Sequence, residues 1–146
     1  MKGSLILAAL CGLALVGAGC GDDNDTLSYD DTGEEIGKIC QSVDFEGLNG
    51  KPANDVPLLE KIIPDFEAAI QEVRDLDVDE ELADTRDAFA DNADQQVAVI
   101  KEAQAAAEAG DTKEYHQKID GTQSLDQESN ELASKLGATG CLDDQG

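Results

Sequence analysis

Basic side chains are scarce in this sequence, and so are the residues on which most catalytic and metal sites depend. Lys and Arg together number 10 against 33 Asp and Glu, which gives a formal net charge of −23. Binding to nucleic acid needs a basic face that displaces counterions from the phosphates, so this composition argues against nucleic acid as a partner. A length of 146 residues predicts one domain.

Side chains that carry chemistry are equally few. The sequence holds one His and one Met, and it contains no Cys-x-x-Cys pair, no Gly-x-Ser-x-Gly elbow and no glycine loop for phosphate. Residues 75–79, Asp-Leu-Asp-Val-Asp, resemble the start of a calcium loop, but Glu80 and Arg86 replace the Gly and Glu that such a loop requires. We therefore expect no enzymatic activity, no cofactor and no metal site.

The N-terminal segment is typical of an export signal. Lys2 gives a positive start, and the apolar run from Leu5 to Val16 is shorter than the ~20 residues needed to span a bilayer. The segment from Val16 to Cys20 resembles a bacterial lipoprotein signal, in which the Cys after a small residue is linked to diacylglycerol and carries acyl chains such as palmitate. This resemblance implies removal of residues 1–19 and lipidation of Cys20. Ordinary secretory cleavage, with Cys20 left as a free thiol, is the alternative.

An acidic segment follows the predicted lipid anchor. Residues 20–31 contain several Asp and no apolar periodicity, which predicts a flexible tether. Two or more acyl chains would hold the protein on the membrane, while its negative charge disfavours contact with anionic lipid headgroups. We therefore expect a lipid-anchored protein on the extracytoplasmic face of the cell membrane, with a helical body at residues 32–146.

Two cysteines remain for the folded body. Cys11 lies in the signal and Cys20 is assigned to lipid, which leaves Cys40 and Cys141 as a pair. In an exported protein such a pair predicts one disulfide. In the chain-entropy model, closing a loop of this size stabilises a fold by on the order of 4–5 kcal/mol. A metal or redox site is the competing interpretation, but neither Cys has a Cys-x-x-Cys or nearby His partner.

Four helical regions are predicted from capping signals and apolar spacing. Asp31 and Glu34 form a capping box at the start of the first helix, whose apolar face includes Cys40. After a glycine-containing loop, the second region runs from about residue 56 to 76. Pro64 lies inside this region and lacks the N–H that a helix interior uses, so we expect a short turn first and the main helix from Pro64 onward.

The last two helices are predicted to form a long antiparallel hairpin. Asp77 and Glu80 form a second capping box, and the third helix runs to Gly110. The fourth starts at Asp111 and continues to Gly137, and the tight connection forces the two helices to pack side by side. No segment shows strand alternation, so the expected fold is an all-α, antiparallel three- to four-helix bundle with one disulfide. Its alanine-rich core should bury little area per residue.

Together these features resemble a group of small exported lipoproteins of actinobacteria whose function is unknown. The resemblance rests on the lipid-type Cys20, on Cys40 early in the mature chain, on the hairpin turn at residues 109–111 and on the ending from Leu136 to Cys141. It implies a helical fold and no particular activity.

Two functions from different classes fit this sequence. The anchor, the acidic tether and the stapled bundle favour a non-enzymatic, membrane-tethered module that binds another envelope protein or acts as a spacer. The alternative is a lipoprotein that binds cations or a small ligand. It would use either a cavity between helices or the carboxylates at positions 80, 84, 87 and 91, which share one side of the third helix.

Overall fold

The computed structural model describes residues 26–142, and within this range the regular secondary structure is helical apart from one isolated β-bridge. Five α-helices follow one another: α1 (Tyr29–Ser42), α2 (Pro52–Asp75), α3 (Glu80–Glu108), α4 (Thr112–Asp120) and α5 (Gln123–Lys135). A 3-10 helix at Thr139–Cys141, here called the closing turn, comes last. The predicted all-α bundle with one disulfide is confirmed. The predicted signal at residues 1–19 and the first half of the predicted tether, which includes Cys20, lie outside the described residues.

The longest helix, α3, is the central element of the bundle. α2 packs along one side of α3, and α4 and α5 pack along another, while α1 lies against α2 and the closing turn. Buried side chains from α2, α3 and α5, together with Tyr115 of α4 and Ile36 of α1, form one apolar core. No helix in the described range is both long enough and apolar enough to cross a membrane.

The folded body begins before residue 32. The N–H of Leu27 donates to the carbonyl oxygen of Asp77 at 2.6 Å, and the carbonyl oxygen of Leu27 accepts from the N–H of Asp79 at 3.2 Å. Ser28 then caps α1, because its Oγ accepts from the N–H of Asp31 at 3.4 Å. The predicted cap at Asp31 and the predicted boundary between tether and bundle are therefore wrong. A long-range backbone pairing, which local spacing does not reveal, fixes this start.

The same pairing moves the start of α3. Residues 77–79 are not helical, and Val78 is buried opposite Leu27 in the bridge. Asp79 is consequently the residue before the first helical position. The predicted capping box at Asp77 and Glu80 is wrong, because Leu27 engages the backbone that would have formed the first turn.

α2 runs unbroken through both of its internal prolines. The predicted start of the main helix at Pro64 is therefore wrong. Pro64 cannot bond to the carbonyl of Glu60, but both residues are exposed, so water can satisfy that oxygen. On the other side of the helix, Leu59 before the proline and Ile70 after it are buried in the same core. Continuous burial on one face holds the helix together across the missing bond.

The second arm of the hairpin is divided into α4 and α5. Asp111 caps α4 as predicted, its Oδ1 accepting from the N–H of Glu114 at 2.9 Å. Gly121 and Thr122 then interrupt the helix, and the Thr122 hydroxyl lies 2.9 Å from the carbonyl oxygen of Ile119. The predicted single fourth helix is wrong here. Glycine has low helix propensity, and a threonine hydroxyl competes for backbone carbonyls.

Four glycines let α1 and the closing segment approach through their backbones. Gly33 and Gly37 lie one turn apart on α1, against Gly137 and Gly140. A Cβ on Gly33 would lie 2.5 Å from the carbonyl oxygen of Gly137, and one on Gly140 would lie 2.8 Å from that of Gly37. Gly137 has φ +72°, which ends the last helix at the predicted glycine and turns the chain towards α1.

The disulfide between Cys40 and Cys141 closes this glycine contact. The two Cα atoms are 5.2 Å apart, and the bridge joins α1 to the closing turn. Cys40 follows Gly37 along the same side of α1, so the glycines and the disulfide act on one contact. The predicted pairing is confirmed.

Replacing Gly33 with Ala is expected to lower the free energy of unfolding by about 1–3 kcal/mol, because the new Cβ would overlap backbone atoms. Gly37→Ala is the matched comparison and should cost less, because a Cβ there would lie 3.3 Å from the nitrogen of Gly140, a contact that a small shift relieves. Both changes raise helix propensity equally. Urea unfolding curves measure the difference, and equal stability of the two variants would contradict the backbone contact.

Removing the disulfide with Cys40→Ala and Cys141→Ala together is expected to cost about 4–5 kcal/mol in the chain-entropy model. Urea unfolding of the double variant, compared with the wild-type chain in dithiothreitol, measures this loss. The two should agree, since each lacks only the bridge. Alkylation of both thiols in unreduced protein would refute the disulfide.

Candidate functional site

A cleft of about 450 Å³ opens between α2 and α5, with α3 as its floor. α2 and α5 each pack mainly against α3, so their facing sides stay apart along part of the bundle. α1, the loop after it and the closing turn border the remainder of the cleft. Every helix of the bundle therefore contributes to one shared space.

Small side chains create this space. Ala69 of α2 and Ala90 and Ala93 of α3 line the cleft and are buried. Larger apolar side chains surround them: Leu59, Phe66, Ile70, Val73, Phe89 and Ile100. With three Phe and no Trp in the sequence, few side chains are large enough to fill the gap. An apolar space of this kind suits an apolar guest better than water.

One wall of the cleft is polar. Thr122, Asp126, Ser129 and Asn130 all line it, and their spacing of four, three and one residues places them on one face of a helix. The Thr122 hydroxyl lies 3.1 Å from Oδ2 of Asp126. The lining side chains of α1 and α2 are apolar by contrast. The cleft thus has an apolar body and a single hydrogen-bonding side.

Gln96 extends the polar wall onto α3. Its Nε2 donates to Oδ1 of Asn92 at 2.9 Å, and Nδ2 of Asn92 donates to Oε2 of Glu128 at 3.2 Å. Asn92 is 2% exposed, so these bonds satisfy an amide that is buried between α3 and α5. The chain of bonds orients the Gln96 amide and ties α3, the floor of the cleft, to α5.

Two exposed apolar side chains mark the rim of the cleft. Phe45 is 43% exposed and Leu142 is 36% exposed, and both line the opening. Phe45 also meets Phe66 edge to face, with ring centroids 5.5 Å apart. Apolar side chains that stay in water at the border of an apolar cleft extend its apolar surface towards solvent, where another molecule could cover them.

A buried carboxylate holds the loop and α4 beside the cleft. Asp55 is fully buried, and its Oδ2 accepts from the Tyr115 hydroxyl at 2.7 Å while its Oδ1 accepts from the N–H of Asn49 at 3.1 Å. Burial and the hydrogen bond to Asp55 raise the pKa of Tyr115 well above its usual value, so Tyr115 stays a neutral donor. Leu48, which precedes Asn49, and Ile119, one helical turn after Tyr115, line the cleft.

The predicted disulfide residues belong to the site. Cys40 and Cys141 both line the cleft, and Leu142 at the rim follows the second of them. Cys20, the predicted lipidation site, lies outside the described residues and stays a prediction. The bridge that staples the bundle is therefore also part of the cleft wall.

The predicted acidic stripe lies on the outer surface of α3, away from the cleft. Its four carboxylates, at positions 80, 84, 87 and 91, are exposed. Asp87 pairs with Arg86 and Asp91 with Arg74, each at 2.7 Å. Residues 75–79 serve as the end of α2 and its connection to α3. Within residues 26–142 no three His, Cys, Asp or Glu side chains are grouped so that they could hold a metal ion.

Sequence reasoning missed Asp55 and the polar wall. An acid near the start of a helix is ordinary there because it complements the helix dipole, and nothing local indicates that Asp55 is buried. The polar wall did leave a signal. Thr122, Asp126, Ser129 and Asn130 form a face of their own beside the apolar face of the same helix, which could have suggested a second inward side.

No protein-family model, no curated protein and no solved structure matches this chain. The volume of the cleft, its apolar body and its single polar wall are the features that a proposed function has to explain.

Tyr115→Phe is expected to lower the free energy of unfolding by about 1–3 kcal/mol, because Asp55 loses a donor while it stays buried. Tyr29→Phe removes the same group from a tyrosine that is 46% exposed, and we expect a change of less than about 0.5 kcal/mol there. Urea unfolding at neutral pH measures both. A loss in Tyr115→Phe no larger than in Tyr29→Phe would contradict the buried pair.

The same pair determines a pH dependence. The pKa of Tyr115 is raised in the folded protein. The neutral hydroxyl therefore contributes its full share to the free energy of unfolding below the unfolded pKa of about 10, and this share is lost as pH rises from there through the folded pKa. The stability difference between wild type and Tyr115→Phe should therefore shrink in alkaline solution. Unfolding curves taken on both sides of pH 10 measure this change.

Proposed function

We propose that this domain is a non-enzymatic binding module whose cleft takes up one small, elongated molecule with an apolar body. The observation that carries the proposal is the cleft of about 450 Å³, a volume within the roughly 300–1,000 Å³ of small-molecule sites. Such sites combine an apolar lining with a few placed polar groups. The part of α3 that lines the cleft, from Phe89 to Ile100, is about 16 Å long, which favours an elongated guest.

The proposed lipid anchor would keep this cleft near the membrane. From Cys20 to Leu27, where the described chain joins the fold, an extended chain spans at most about 25 Å. Molecules with an apolar body concentrate in lipid because burial removes their surface from water. A lipid-anchored cleft on the extracytoplasmic face would thus work close to a reservoir of such molecules.

A second candidate is the binding of an envelope protein, which the sequence alone favours. The exposed side chains of Phe45 and Leu142 support it, because a protein partner could cover them and insert a side chain into the cleft. Pull-downs with lipidated protein at low and physiological salt test this candidate. Loss of a captured partner on Phe45→Ser would support it, and capture of no envelope protein at either salt would count against it.

Cavity filling tests the proposed function. Ala93→Phe should lower the affinity of the neutral apolar dye N-phenyl-1-naphthylamine at least tenfold, because the new ring would occupy the floor of the cleft. Ala98→Phe makes the same change at an exposed position of α3 and should leave the affinity unchanged. Fluorescence titration measures binding, which should saturate at one dye per chain in the wild type.

Circular dichroism and urea unfolding check that each variant is folded. If Ala93→Phe is unfolded, Ala90→Leu fills the neighbouring part of the floor with a smaller side chain. Saturable binding that survives in a folded, cavity-filled variant would overturn the proposal. A wild-type chain that shows no saturable binding would do the same.

A further inference from the structure

Charge is distributed in a way that selects among apolar guests. None of the described residues that line the cleft is Lys, Arg or His, and the ionisable side chain among them is that of Asp126. The chain as a whole carries −23. An anionic head group placed here would lose water without meeting a basic partner, which is unfavourable. A fatty carboxylate therefore fits this site poorly.

The polar wall offers oxygen acceptors along one line. Thr122 at the N-cap of α5 and Asp126, Ser129 and Asn130 within α5 supply hydroxyl, carboxylate and amide oxygens. An ammonium group has three N–H donors and no acceptor, and each of these oxygens can accept from it. Contact between an ammonium and a carboxylate is also stronger than a neutral hydrogen bond, because both groups carry charge.

We propose that the cleft binds a cationic amphiphile, with its apolar body against α2 and α3 and its amine head against the polar wall at α5. This inference rests on the proposed function and specifies its ligand class. The inference depends on Asp126 as a member of the polar wall, where its Oδ2 lies 3.1 Å from the Thr122 hydroxyl. The strong negative charge of the chain adds to it by attracting cations from solution.

A series of matched head groups tests the ligand class. Decylamine, decanol and decanoate share one apolar chain, and each displaces N-phenyl-1-naphthylamine from the wild-type protein if it enters the cleft. At neutral pH and about 0.15 M salt, where charges beyond about 8 Å are screened, decylammonium should bind at least tenfold more tightly than decanoate. Decanol should fall between them. All three are used below the concentrations at which they aggregate.

Asp126→Asn locates the selectivity. This change keeps a side-chain oxygen for Thr122 and removes the negative charge, so decylammonium affinity should fall five- to tenfold while decanol affinity changes less than twofold. Asp84→Asn is the control, because it makes the same charge change at an exposed position of α3. It should leave both affinities within twofold of the wild type.

The outcomes separate this inference from the proposed function. Decanoate that binds as tightly as decylammonium, or equal effects of Asp126→Asn and Asp84→Asn, would overturn the ligand class. The proposed binding function would still stand if Ala93→Phe weakens dye binding. Failure of the dye to bind at all would overturn both. Tight decylammonium binding that Ala93→Phe does not weaken would assign the amine to surface charge and overturn the inference.

Discussion

The backbone contact between α1 and the closing turn holds α1 to the end of the described chain. Gly33 and Gly37 allow it because neither carries a Cβ at a place where two backbones meet. The Cys40–Cys141 bridge then closes the same contact covalently. With α1 fixed in this position, its apolar side chains and the disulfide form one border of the cleft. Stability and the candidate site thus depend on a single junction.

The cleft follows from how the core is composed. Every helix needs to bury an apolar face, and α3 provides the surface on which α2 and α5 do so. The alanines at positions 69, 90 and 93 are buried apolar side chains, but they are too small to fill the space between the helices. Meanwhile salt bridges such as Lys101 with Glu67 and Arg74 with Asp94 lie on the outside of the α2–α3 pair. The acidic composition is thus carried by the surface, whereas the polar wall of the cleft is set apart on α5.

Local signals predicted the helices well where a residue acts through its neighbours. The cap at Asp111 and the stops at Gly110 and Gly137 belong to this kind, whereas the pairing of Cys40 with Cys141 followed from a count of the cysteines. The signals failed where a distant segment changed the local choice. Leu27 pairs with the backbone beside Val78 and displaces two predicted capping boxes. In α2, residues before and after Pro64 in the sequence are buried in the same core, so the helix continues through a proline that would otherwise end it.

The amino-acid sequence by itself determined the all-α class, the hairpin, the disulfide partners and the strongly acidic surface, because periodicity, capping residues and charge act locally or need only a count. Tertiary structure decided what lies inside. Whether an acid such as Asp55 is solvated or buried, and whether three alanines leave a gap or close it, depends on which helix faces which. Helix order and spacing are set by packing among segments far apart in the chain, so the cleft and its polar wall emerge only when those segments meet.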